Sequence, residues 1–183
     1  MTRLKFLLFL PLLYLSCSND NRKLEKAIVE FSEETITIPE DMVVVDGHRI
    51  ENGNEVIPGR LKMIIYYDSL SCNACQVSHL IDLSAIYALA DSSGIFDVMT
   101  IFSPRAEEYD ELMKKLVLRN FVYPVYVDYS GSFRRANRFI PSDIRFHSFL
   151  IDGEARPILV GNPVQSHELW KIFTKTIREY EED

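Results

Sequence analysis

The chain has 183 residues, 47% hydrophobic and 26% charged, with 7 Gly and 8 Pro; this excludes a disordered, collagen-like or disulfide-stapled miniature chain. Its length suits one domain with an appendage. The net charge of −7 deepens to −9 without residues 1–16, because Arg3 and Lys5 leave and no acid does, so the surface repels phosphate backbones and nucleic acid is not an expected partner.

Met1–Lys5 carries two cations, and Phe6–Leu15 is apolar apart from Pro11. A charged start and a short apolar run are the pattern of a secretory signal, too short to span a bilayer by itself. Tyr14-Leu15-Ser16-Cys17 resembles a bacterial lipobox, in which the cysteine becomes the first mature residue and carries lipid. The resemblance implies a signal peptide over 1–16 and lipidation at Cys17. A plain leader with an incidental cysteine is the competing reading. Acyl chains contribute about 0.8 kcal/mol per buried methylene, so a lipoprotein of this kind is a stably anchored membrane protein. The rest of the chain then faces the periplasm or the exterior, where disulfides persist.

Residues 17–57 read as a tether and N-terminal extension. Lys23–Phe31 places Leu24, Ala27, Ile28 and Phe31 at helical spacing. Thr35–Pro39 and Met42–Val45 look extended, Asp46-Gly47 marks a turn, and Asn52-Gly53-Asn54 and Pro58-Gly59 mark loops. From residue 58 to 183 the pattern sharpens. Leu61–Tyr67 is a nearly continuous apolar run, as in a buried strand. A helix is expected from Cys72 to about Ala90, with Ser71 as N-cap and an inward stripe of Val77, Ile81, Ala85 and Ala88 with Leu80 and Ile86 beside them. Phe96–Phe102 is a second buried strand. Ala106–Arg119 is an amphipathic helix with Tyr109, Leu112, Met113 and Leu116 on one face. A strand over Tyr123–Tyr129, a short helix over Ser132–Phe139, strands at Phe146–Asp152 and Pro157–Val160, and a closing helix over Ser166–Tyr180 complete the order. Strand–helix–strand repeats imply parallel crossovers, and the late tight turn implies an antiparallel hairpin. The expected fold class is a thioredoxin-like three-layer α/β/α sandwich with a mixed central sheet and a short N-terminal helix and strand extension.

Cys72-Asn73-Ala74-Cys75 stands where the first buried strand hands over to a helix. Unpaired amides and the dipole at a helix start stabilise a thiolate, and in such motifs the thiol pKa falls to about 3.5–7.5. Cys72 is expected to be the exposed nucleophile and Cys75 the more buried resolving thiol, acting through a mixed disulfide. No organic cofactor is needed, since the dithiol is itself the redox group. A static disulfide and a metal knuckle remain open as alternatives.

On these residues the chain resembles membrane-anchored thioredoxin-like proteins of the TlpA and ResA type, over roughly Leu61 to Ile177. It is also similar to a group of small thioredoxin-like lipoproteins of Gram-negative bacteria. The matching residues are Asp68-Ser69, Cys72–Cys75, Tyr123-Pro124-Val125, Phe149–Asp152 and Gly161-Asn162-Pro163. The resemblance implies an envelope thiol–disulfide oxidoreductase that exchanges disulfides with protein partners and, if it acts as a reductant, draws on an upstream membrane electron donor; Asn73-Ala74 does not indicate the direction. Two departures stand out. The pair encloses Asn73-Ala74 instead of a dipeptide with proline, and Phe146, followed by His147, takes the place of the cis-proline that shapes the partner groove. Phe146 and His147 are therefore the partner-groove candidates, with an ordinary trans bond expected before Phe146.

The alternative function is a non-enzymatic binding module or metallochaperone for copper or zinc, with Cys72, Cys75 and His147 as ligands and His79 nearby on the helix. The exchange reading requires no metal. Ser69-Leu70-Ser71-Cys72 has the form of a peroxidase motif, but Ile65 stands where that motif has proline. Arg134, Arg135 and Arg138 read as a solvated basic face.

Overall fold

A computed structural model describes residues 22–55 and 58–182; the proposed leader and Cys17 lie outside the described residues. Residues 22–32 form helix α1. It is followed by strands β1 (Val43–Asp46) and β2 (Arg49–Asn52), then by β3 (Leu61–Tyr67). Helix α2 (Asn73–Gln76) leads through a 3₁₀ segment, Val77–Leu83, into α3 (Ser84–Ser93). Strand β4 (Phe96–Phe102), helix α4 (Tyr109–Arg119), strand β5 (Val125–Val127) and helix α5 (Ser132–Ala136) come next. The chain ends with β6 (Ser148–Ile151), β7 (Pro157–Val160) and helix α6 (His167–Glu182).

Seven strands form one sheet in the order β2-β1-β5-β4-β3-β6-β7. The three inner strands β5, β4 and β3 are parallel, and β1, β2, β6 and β7 join antiparallel. The mixed sheet and its flanking helices match the expected class. Alternation along β3 feeds two cores, because successive side chains of a strand point to opposite faces. Leu61, Met63 and Ile65 pack with residues of the 3₁₀ segment, α3, α4 and α6. Ile64 and Tyr66 pack on the other face with Phe31, Met42, Phe133, Phe146 and Phe149.

One local expectation is corrected, and two further features lie beyond what the sequence pattern predicts. The helix expected over 72–90 is interrupted: with three residues per turn, the 3₁₀ segment carries the buried face forward in steps of three, through Val77, Leu80, Leu83 and Ile86. Ile81, Ala85 and Ala88 are consequently exposed. The Thr35–Pro39 stretch joins no strand of the sheet. It is fixed instead by Ile36 N–H donating to the Ala155 carbonyl at 2.8 Å and by Thr37 bonding to the amide of Asn137. Finally, β2 is a strand that its polar sequence conceals; all four of its residues are exposed, and only pairing with β1 defines it. Among the described residues no helix is long and apolar enough to cross a membrane.

Candidate active site

Strand β3 delivers the chain to Asp68, whose carboxylate organises the loop that follows. Its Oδ1 accepts the N–H groups of Leu70 and Ser71 at 3.0 and 3.1 Å and the Ser71 hydroxyl at 3.2 Å. The hydroxyl expected to cap the helix is thereby spent on Asp68. Cys72 itself occupies the N-cap position, and no side chain caps α2 there. The Cys72 carbonyl accepts from the amides of Cys75 and Gln76 at 3.0 and 3.2 Å, which closes the turn around the motif.

Cys72 and Cys75 are joined in a disulfide, with their Cα atoms 5.3 Å apart. The intervening residues face inward: Asn73 is completely buried and Ala74 nearly so, while both cysteines are exposed. Cys75 thus reaches the surface alongside Cys72. Asn73 fills the space behind the bridge and donates both amide hydrogens backwards, to the carbonyls of Asp68 at 2.9 Å and Ser71 at 3.0 Å. With that side chain anchored inward, the two cysteines on either side of the dipeptide are held at the surface.

The residues flanking the pair, Ser71 and Gln76, line a cavity of about 650 Å³. Its walls are mixed: Ile65, Leu83, Ile144 and Val164 give apolar surface, and the polar groups are His79 and Asp82 from the 3₁₀ segment, His147 and Ser148 at the start of β6, and Asn162 and Gln165 from the loop after β7. Tyr67 also faces it, stacked on Phe102 with ring centroids 4.7 Å apart, and burial pushes its phenol up to about 12. His79 Nδ1–H donates to Asp82 Oδ2 at 3.1 Å.

The two groove candidates diverge. His147 is 4% exposed, lines the cavity, and donates from Nε2 to the Pro141 carbonyl at 3.1 Å. A carbonyl only accepts, so the proton sits on Nε2 and Nδ1 is the nitrogen left to accept in the neutral ring. Phe146 belongs to the core, its ring 5.7 Å from that of Phe31 in an edge-on pair. The bond before Phe146 is trans, as expected. Asp143 closes the turn beneath them: its carboxylate accepts from the Arg145 amide at 3.0 Å and pairs with the Arg145 guanidinium, which holds its carboxyl below the usual carboxylate range. Among the described residues no three His, Cys, Asp or Glu side chains gather into a metal-holding group. Sequence reasoning missed Gln76, Asp82 and Gln165 as lining residues. Asn162, part of the Gly161-Asn162-Pro163 match, reaches the cavity from the loop after β7.

No family model matches the chain, and no curated protein sequence does. Solved structures do. A provisionally named thiol:disulfide interchange protein, DsbE, from Chlorobium tepidum superposes with a TM-score of 0.50 at 16% identity, covering 79% of this chain and 97% of that one. The fold is thioredoxin-like. An uncharacterized thioredoxin-like protein from Porphyromonas gingivalis matches with a TM-score of 0.48 at 15% identity, over 81% of this chain and 95% of its own. The bacterioferritin comigratory protein of Xanthomonas campestris, described for alkyl peroxide reduction, matches at 0.48 and 14% identity, over 81% and 99%.

Proposed function

We propose that this thioredoxin-like chain is a thiol–disulfide oxidoreductase of the bacterial cell envelope, lipid-anchored through Cys17, with Cys72 as nucleophile and Cys75 as resolving thiol. The observation that carries the reading is the exposed Cys72–Cys75 bridge at a strand-to-helix junction, whose flanking residues Ser71 and Gln76 line a cavity large enough for a substrate group. A bridge that only pinned the helix start would gain nothing from that exposure.

In the reducing direction the Cys72 thiolate attacks one sulfur of a partner disulfide. That S–S bond breaks, the leaving sulfur takes up a proton, and a mixed disulfide joins the two proteins. The Cys75 thiolate then attacks Cys72 Sγ, releases the second partner thiol and re-forms the Cys72–Cys75 bond. Two electrons and two protons pass to the partner, and an upstream membrane donor restores the dithiol. Oxidation of a partner is the same sequence reversed.

The reduction potential of the pair, measured against glutathione in the chain beginning after Cys17, is expected between about −270 and −120 mV, with Cys72→Ala abolishing insulin reduction. A value below about −300 mV marks a structural bridge and overturns the assignment. For the anchor, Cys17→Ala is expected to move the protein from the membrane fraction to the soluble fraction of the envelope; a chain that stays membrane-bound removes the lipidation from the reading.

A further inference from the structure

On each loop around the cavity at least two neighbouring main-chain donors are already taken, which bears on what can dock there. A partner that adds itself as a β-strand needs free N–H and C=O groups on the receiving segment. On the loop entering α2, the amides of Leu70 and Ser71 both end on Asp68 Oδ1. On the wall formed by residues 143–147, the Arg145 amide goes to Asp143 Oδ1 at 3.0 Å, that of Phe146 to the Asp143 carbonyl at 2.9 Å, and that of His147 to the Ile144 carbonyl at 3.1 Å. On the third wall, Val164 N–H donates to Asn162 Oδ1 at 3.2 Å and Gln165 N–H to the Asn162 carbonyl at 3.1 Å.

These bonds are not loosely held. The Arg145 guanidinium binds both oxygens of the Asp143 carboxylate, at 3.0 Å to each from Nε and 2.5 Å to Oδ2 from its terminal nitrogen. Opening the turn to free the Arg145 amide therefore costs a charge-assisted contact as well as a backbone bond. What the walls do offer is side chains: the amides of Gln76, Asn162 and Gln165 and the His79–Asp82 pair. The cavity, at about 650 Å³, lies within the roughly 300–1,000 Å³ range of sites that enclose ligand groups.

Building on the exchange reading above, we propose that the substrate is a polypeptide disulfide displayed on a turn or loop, recognised by a polar side chain beside its cysteine that enters this cavity, with no strand pairing to the receiving loops. Selectivity among disulfides then follows the residue next to the cysteine, and an extended backbone confers no advantage.

The test uses the reduced full chain and three versions of one disulfide-linked peptide: a parent with Gln beside its cysteine, the same peptide with N-methylated amides on both sides of that cysteine, and a third with Ala for the Gln. Each rate is divided by the rate of the same peptide with dithiothreitol, which removes differences in intrinsic reactivity. The expected result is that N-methylation changes the ratio by less than about twofold while the Ala peptide falls about fivefold or more, the scale of one side-chain hydrogen bond. A fall of about tenfold or more on N-methylation means that main-chain bonds carry recognition and overturns the proposal, as does an Ala peptide equal to its parent. Bis(2-hydroxyethyl) disulfide, which has no peptide backbone, separates the two levels. Exchange with it alongside a failed peptide pattern sinks only the recognition mode, and no exchange with any substrate sinks the exchange reading and this proposal together.

Discussion

Asn73 does the opposite of what a residue between two reactive cysteines would be expected to do. It is completely buried, both amide hydrogens are bonded, and its Oδ1 has no hydrogen-bond partner. An orphaned buried acceptor costs free energy, so the amide is kept for its two donors, which fasten the loop from Asp68 to Ser71 behind the disulfide. Asn73→Ala is expected to lower the stability of the oxidised chain by about 1–3 kcal/mol in urea unfolding, because the carbonyls of Asp68 and Ser71 lose those donors. Asn73→Asp separates the hydrogen bonds from simple filling of the space. A carboxylate there faces two carbonyl oxygens in a buried site, so its pKa rises above the ordinary value of about 3.9. A raised folded-state pKa means the variant is best tolerated below the unfolded value and loses stability as pH climbs from there through the folded value. The unfolding midpoint of Asn73→Asp should therefore fall between pH 4 and pH 7 relative to the parent; a constant difference across that window would show that Asn73 serves only to fill space.

At the scale of elements, helix α1 is what gives the sheet its second covered face next to the site. Phe31, 2% exposed, meets Phe149 at 5.2 Å and Phe146 at 5.7 Å, both edge-on, and so sets the position of the wall that continues into His147. Phe31→Ala is expected to cost about 3–5 kcal/mol in urea unfolding, since the ring leaves a cavity between a helix and a sheet that cannot easily collapse; a loss under about 1 kcal/mol would show that α1 is only peripherally docked. Much at this scale was legible in the sequence. Leu61–Tyr67 and Phe96–Phe102 were readable to the residue because buried parallel strands are apolar throughout and end at polar loops. The 3₁₀ segment was not, because the apolar residues at 77, 80, 81 and 83, continued by 85, 86 and 88 in α3, satisfy a 3.6-residue period as well as a period of three. Strand β2 carries one apolar residue, the exposed Ile50, too little to make an alternating pattern. Of the site, the cysteine pair and His147 could be named from sequence, and the cavity could not. Asn162 and Gln165 reach it only through the β6–β7 hairpin, a contact between segments some ninety residues from the cysteines that no local pattern records.

Across the whole molecule, the residues before β3 behave as part of the folding unit that presents the disulfide. Strand β1 pairs with β5, so without it a parallel inner strand becomes an open edge. Phe31, Ile36 and Met42 all belong to the core on that face, at 2%, 3% and 0% exposure. Asn137, completely buried, is satisfied across the same boundary: its Oδ1 accepts the Thr37 amide at 2.8 Å and its Nδ2 donates to the Thr37 carbonyl at 2.7 Å. A chain beginning at residue 58 would lose these apolar contacts and leave the Asn137 amide without either bond to Thr37. Each large apolar side chain removed from such a core costs about 2–5 kcal/mol, and three of them together approach the 5–15 kcal/mol that a domain of this size has in total. The shortened chain is therefore expected to lose cooperative unfolding and to associate through its uncovered face and edge, while a chain beginning at residue 22 keeps a single sharp transition. Circular dichroism in urea with size-exclusion chromatography distinguishes the two. If the chain from residue 58 is monomeric with an unchanged midpoint, the face that α1 and β1 cover is dispensable, and the wall carrying Phe146 and His147 is held by the remaining sheet alone.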